Sequence, residues 1–175
     1  SDVYKRQEIE AALQEHRIDL GLVEGICRLP NLRYTTFLQD ELVAVVHTGS
    51  KLSLPDEITP EDLSRIPLVL RERGSGTLDV FERALSEHNM KLSSLNVLLY
   101  LGSTESIKLF LEHTDCIGIV SIRSISRELL SGTFRVIEIK GMPMLREFCF
   151  AQPQGQESGL SQVLMQFAMH HNKKL

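Results

Sequence analysis

The chain has 175 residues, 42% of them apolar and 24% charged, with a net charge of −4. That length builds one ordinary core or two small lobes, and the negative balance argues against the chain gripping a nucleic-acid backbone by itself. No apolar run approaches the roughly 20 residues needed to cross a bilayer, and no secretory pattern opens the chain. Three scattered cysteines, Cys27, Cys116 and Cys149, fit a reducing compartment better than a disulfide framework. The expectation is a cytoplasmic globular protein whose Cys116 and Cys149 are buried thiols in apolar runs.

Ser1–Gln7 is polar and has no period that continues past Gln7; it reads as a non-native extension and is set aside. From Glu8 a helical pattern places Ile9, Ala12 and Leu13 on one face and ends near His16. Ile18–Val23 reads as a buried strand stopped by Gly25. Leu32–Phe37 and Leu42–His47 read as two further strands, the second apolar enough for a sheet covered on both faces, with Asp40-Glu41 as a solvated loop between them. Thr48–Glu57 is polar and turn-rich. Thr59-Pro60-Glu61-Asp62 is a helix start, with a Thr cap, Pro at the first helical position and acids in the first turn.

From Leu68 onward strands and helices alternate. Strand 68–70 leads to helix 78–88, strand 95–101 to helix 104–113, and strand 116–120 to helix 123–130, which Gly132 ends. Phe134–Ile139 closes this unit as a fourth strand. Such alternation predicts a parallel sheet with right-handed crossovers. One more strand, Arg146–Ala151, precedes a helix from about Ser158, in which Leu160, Val163, Leu164, Phe167 and Ala168 form an apolar stripe at helical spacing. His170–Lys174 reads as a frayed polar end.

The chemistry lies in the turns. Gly74-Ser75-Gly76-Thr77 follows one strand and Gly102-Ser103-Thr104 follows the next, each running into a helix; Ser121 follows the third. Strand, tight turn and helix N-terminus in series hold small anions through backbone amides, and three such turns on one parallel sheet share its carboxyl edge, where open α/β sheets bind ligands. Arg71, Arg73 and Arg123 stand beside the turns and either neutralise an anion or pair with Glu72 and Glu105. The first turn lacks the Lys and the gap of a Walker loop, and lacks the third glycine of a dinucleotide fingerprint. His16, His47, His88, His113, His170 and His171 show no metal-ligand spacing with Cys or carboxylate, apart from the terminal pair, and no Gly-x-Ser-x-Gly elbow occurs. No catalytic constellation, metal site or cofactor is legible.

The order of these signals resembles one family. Ile18-Asp19-Leu20-Gly21-Leu22-Val23-Glu24 is followed by Phe37-Leu38-Gln39-Asp40-Glu41-Leu42-Val43-Ala44-Val45-Val46, then by Arg71-Glu72 with Gly74-Ser75-Gly76-Thr77. Leu101-Gly102-Ser103-Thr104-Glu105-Ser106-Ile107-Lys108, Gly118-Ile119-Val120-Ser121 and Glu128-Leu129-Leu130-Ser131-Gly132 complete the series. This is similar to the effector-binding domain of LysR-type transcriptional regulators. The resemblance implies a type-2 periplasmic-binding-protein fold, α/β, of two lobes joined by crossing strands. Residues 8–48 and 142–175 would form lobe I, without its first strand and helix, and 49–141 would form lobe II; the family's winged helix-turn-helix has no counterpart in the chain.

It further implies a small-molecule effector, an organic acid or other anion, held between the lobes, with Gly102, Ser103, Thr104 and Ser121 as lobe-II contacts. Arg71, Ser75, Thr77, Arg123 and Glu24 are the other candidate ligand-binding residues. The implied assembly is a homodimer or tetramer that meets DNA only through the N-terminal domain, with no membrane partner. Two alternatives stand beside this reading: a solute-binding protein of the same fold, and a two-lobe enzyme such as a dehydratase, which would need an ionisable group such as Glu24 or Arg71 in its cleft.

Overall fold

The structure, a computed structural model, describes residues 2–25, 29–155 and 158–172, with side chains from Arg6 onward. Cys27 and Lys173-Lys174 lie outside the described residues. In chain order the elements are α1 (Asp2–Gln14), β1 (Gly21–Glu24), β2 (Leu32–His47), β3 (Glu57–Ile58), β4 (Leu68–Arg71), α2 (Gly76–Glu87), β5 (Val97–Leu101), α3 (Thr104–His113), β6 (Ile117–Ser121), α4 (Ser126–Leu130), β7 (Phe134–Ile139), β8 (Met144–Pro153) and α5 (Gly159–Asn172). Short 3-10 turns occupy Pro60–Ser64, Leu92–Ser94 and Ile122–Ile125. The chain divides into unit 1, residues 1–39 and 146–175, and unit 2, residues 40–145. Both divisions fall inside strands, β2 and β8; the resemblance implied lobe boundaries near residues 48 and 142.

Unit 2 carries the order β2-β6-β4-β5. Strand β4 pairs in parallel with β5 (Leu70↔Tyr100) and with β6 (Val69↔Gly118). The chain steps from β4 through α2 to β5, then back through α3 to β6 on the other side of β4. Right-handed crossovers made in opposite directions put the two helices on opposite faces of the sheet, and the packing shows it. Leu78, Phe81 and Leu85 of α2 pack with Leu68, Leu70 and Ile119; Ile107 and Leu111 of α3 pack with Val69, Val43 and Val120. Alternate residues of one strand therefore feed two cores, which is why β2 and β4 read as unbroken apolar runs. A Cβ on Gly118 would stand 2.9 Å from a methyl of Ile107, so the glycine lets α3 close on β6.

The fourth strand departs from the parallel expectation. Strand β7 pairs antiparallel with β2 (Ala44↔Ile137, Val46↔Arg135) and in parallel with β3 (Glu57↔Glu138). The edge of β6 is already taken by β2, antiparallel from Leu42↔Ser121 to Val46↔Ile117, so β7 does not extend the β6-β4-β5 series and lies on the other side of β2. The sheet is mixed. The segments read as two strands at 32–37 and 42–47 are one 16-residue strand, and Asp40-Glu41 lies inside it: Asp40 is buried and Glu41 exposed, as alternation requires. The polar stretch before Thr59 ends in β3. The expected helix at Pro60 is a 3-10 turn in which the Asp62 carboxylate accepts from the Thr59 amide (2.9 Å) and hydroxyl (2.8 Å). Both bonds hold the Asp62 carboxyl below its ordinary range.

In unit 1, β1 pairs antiparallel with β8 (Gly21↔Ala151 to Glu24↔Phe148), and β8 neighbours β2. Leu13 of α1 packs with Val23, Leu32, Cys149 and Ala151. The helix begins at Asp2, ahead of the Glu8 expected, and takes in most of the segment set aside as an extension. Within it Arg6 pairs with Glu10 (3.0 Å) and donates to the Glu24 carbonyl (3.2 Å). Helix α5 forms where the spacing places it, but its stripe faces outward: Leu160, Val163, Leu164 and Phe167 are 52–72% exposed, and Ser161 is the buried residue of the helix. Helical spacing states which residues share a face; it does not state what covers that face.

Candidate functional site

Three turns leave the carboxyl ends of β4, β5 and β6, three adjacent parallel strands of unit 2, and therefore share one edge of the sheet. Strand β4 is the point where the chain's progress across the sheet reverses, the position at which open α/β sheets bind ligands. After β4, Gly74 takes φ +88°, a left-handed conformation that favours glycine, and turns the chain into α2. Ser75 caps that helix, its hydroxyl accepting from the Leu78 amide at 3.1 Å. After β5, Ser103 caps α3, accepting from the Ser106 amide at 3.1 Å and sharing a hydroxyl hydrogen bond with Ser106 at 2.8 Å. Each helix leaves its first amides outside the intrahelical ladder, at the positive end of the helix dipole. After β6, Ser121 accepts from the Arg123 amide (3.2 Å), but it leads into the 3-10 turn Ile122–Ile125 and not into the first turn of a long helix.

The charges stitch the rim together. Arg71 Nε and Nη2 donate to the two carboxylate oxygens of Glu72 at 2.9 and 3.0 Å, and Nη2 also reaches the Gly102 carbonyl at 3.4 Å. The first two turns are thus tied side chain to backbone, with the Glu72 amide donating to the Leu101 carbonyl as well (3.0 Å). The Arg71 guanidinium beside Glu72 holds its carboxyl below the ordinary range. Behind the rim Lys108 Nζ lies 2.7 Å from Glu128 and 3.1 Å from Glu105, clamping α3 to α4. Burial pulls the Lys108 ammonium down, but the bonds from Glu128 and Glu105 carry it above its ordinary value.

The structure separates the candidate residues. Gly102 is exposed, and Ser103, Thr104 and Ser121 are half-buried on the rim with Arg71. Ser75 and Thr77 are buried, and the Ser75 hydroxyl is turned to the Leu78 amide. The Arg123 side chain is exposed and its turn carries no long-helix N-terminus. Glu24 belongs to unit 1, at the end of β1, away in sequence and unit from the three turns. The residue that sequence reading missed is Asp40: its buried carboxylate accepts the Ser121 hydroxyl at 2.8 Å. The signal was present, since Asp40 stands two positions before Leu42 on the inward face of a strand.

Cys116 is fully buried, and burial pushes its thiol up to about 11; Cys149 is buried with its thiol donating to Glu147 at 3.1 Å. Cys116 is therefore a buried neutral thiol and not an activated thiolate. Among the described residues no group of three or more His, Cys, Asp or Glu is arranged to hold a metal ion, and no helix is long and apolar enough to cross a membrane. A cavity of about 350 Å³ opens in unit 2 where β2 and β7 part; Ile122 of the third turn lines it, and none of the candidate residues does.

A family model described as the LysR substrate binding domain matches residues 2–173. The HTH-type transcriptional regulator YeiE of Escherichia coli K12 is 32% identical over 133 residues, 76% of this chain and 44% of that protein. The chain spans about half the length of the curated relatives it matches. Among solved structures, the regulatory domain of CcmR from Synechocystis PCC6803, in complex with 2-PG, superposes with a TM-score of 0.73 at 24% identity, covering 97% of this chain and 81% of that one. The effector-binding domain of QuiR in complex with shikimate superposes with a TM-score of 0.68 at 20% identity, covering 96% and 78%. At these identities the superpositions show the fold, an α/β architecture that agrees with the mixed sheet and flanking helices of this chain.

Proposed function

We propose a function for a chain that belongs to the LysR substrate-binding-domain family: it is the effector-sensing part of a LysR-type transcriptional regulator, and it binds a small anionic metabolite at the rim of unit 2. The observation that carries this reading is the convergence of the α2 and α3 N-termini on one edge of three adjacent parallel strands, joined by the contact from Arg71 to the Gly102 carbonyl. Helix N-termini, turn amides and the Ser103 and Thr104 hydroxyls suit a carboxylate or phosphate. The 2-PG of CcmR and the shikimate of QuiR are small molecules bound by domains of this fold. Nothing in the arrangement asks for catalysis: binding alone, by favouring one conformation, changes the regulator's state.

In the full-length regulator that change is relayed to DNA binding through a homodimer. Self-association is supported by the edge strand β5, where Leu98, Leu99 and Tyr100 are each about 40% exposed or more, and by Leu109 of α3, 62% exposed; an apolar edge strand invites pairing. A thermal-shift screen of carboxylates and phosphates, including 2-PG and shikimate, tests the ligand class. We expect a hit whose shift is lost in Ser103→Ala or Thr104→Ala. Tight anion binding indifferent to both changes would refute the site.

A further inference from the structure

The cavity of unit 2 borders the third turn through Ile122 and shares no residue with the candidate rim. It opens because the β2–β7 ladder stops at Ala44↔Ile137. Beyond that pair β7 runs into a turn at Gly141, whose φ is +68°, with the Met142 amide donating to the Ile139 carbonyl at 3.1 Å. The two strands part, and about 350 Å³ is left between them, a volume that takes a small organic molecule. Its lining is more apolar than polar: Leu42, Ala44, Ile139, Met142 and Met144 belong to it, and all five are buried. Methionines adapt their shape to varied ligands.

The charge in the lining is of one sign. Glu41 and Glu138 belong to it, and no Lys, Arg or His does. Both Glu41 and Glu138 are exposed, so both acidic side chains stand at the mouth of the space. Next to low-dielectric walls their pull on a cation, and their repulsion of an anion, exceed what water alone allows.

We propose that this cavity is a second ligand site, distinct from the anion rim, and that it takes a small organic cation. The ammonium group sits by Glu41 and Glu138, and a compact hydrocarbon body lies against Met142 and Met144. The two sites share no residue and select opposite charges, so each stands or falls separately.

Methionine-methyl NMR of the chain reads this directly, because the five methionines report from different places. Met90 packs against the α2 core and Met165 and Met169 lie on α5. Titration with phenethylammonium is expected to shift the Met142 and Met144 methyls saturably and to leave Met165 and Met169 in place. The double variant Glu41→Gln, Glu138→Gln should weaken that binding at least tenfold, with the Met90 methyl reporting an intact core. The isosteric anion 3-phenylpropionate should not shift the pair. No saturable shift with the cation, an equal response to the anion, or wild-type affinity in the double variant would each overturn the proposal.

Discussion

Gly102 offers a substitution that separates fold from ligand. It is exposed, it directly precedes the Ser103 cap, and its carbonyl is the atom Arg71 reaches. A Cβ built there meets no heavy atom within 4 Å, and its φ lies outside the left-handed range. Gly102→Val therefore needs no neighbour to move, and its cost in stability is that of an ordinary surface change, within about 0.5 kcal/mol. For a chain of this length that is a melting shift of about 2 °C or less. The same side chain projects into the space a ligand on the α3 N-terminus would occupy. Affinity for the anion found in the screen should fall at least tenfold, about 1.4 kcal/mol. Paired thermal melts and calorimetric titrations measure both quantities. A variant that melts more than about 5 °C lower shows that the turn is not open; one that folds and binds like the parent shows that the anion sits elsewhere.

Three further outcomes rest on the same geometry. Phe81→Ala, at a fully buried ring between α2 and the sheet, should cost about 3–5 kcal/mol by urea denaturation, whereas Phe167→Glu on the outward stripe of α5 should cost under about 0.5 kcal/mol; the reverse order would mean that the stripe is covered. Ser121→Ala leaves the buried Asp40 carboxylate without its hydroxyl donor and should destabilise by about 1.5–3 kcal/mol, an effect abolished in an Asp40→Ala background by double-mutant cycle. Glu128 has its carboxyl lowered by Lys108, so its contribution is present above the ordinary 4.5 and is lost as pH falls through the lower folded value. Lys108 is raised, so its contribution is present below the ordinary 10.5 and is lost as pH climbs through the higher folded value. The urea midpoint of Lys108→Met, relative to the parent, should show its deficit at pH 7 and lose it progressively as pH falls below 4.5; a deficit independent of pH would refute the ion-pair account.

Much of unit 2 was legible because its signals are local. Ser75 and Ser103 sit one residue before their helices and cap them, and the apolar runs 42–46 and 68–70 announce a sheet covered on both faces. What escaped was non-local. Strand β7 has the composition of a parallel strand, and the occupancy of the β6 edge by β2 places it beside β2, antiparallel, with the two-residue β3 as its parallel neighbour. Asp40 looks like loop polarity until β2 is seen as one strand, which turns the carboxylate inward against Ser121. The hydroxyls of Ser75 and Thr77 were read as ligand donors from their residue type; the fold buries both residues, and the Ser75 hydroxyl faces the backbone it caps. The α5 stripe marks the same limit, since amphipathic spacing is a property of the helix and burial is a property of its neighbours.

Amide chemical shifts of the chain, followed as the best carboxylate or phosphate is titrated in, test the rim most directly. Saturable shifts should concentrate at Gly76, Thr77, Thr104 and Glu105, the first-turn amides of α2 and α3, and should weaken with added salt. Tight binding whose shifts fall elsewhere in unit 2, with these four amides unmoved, would contradict the account.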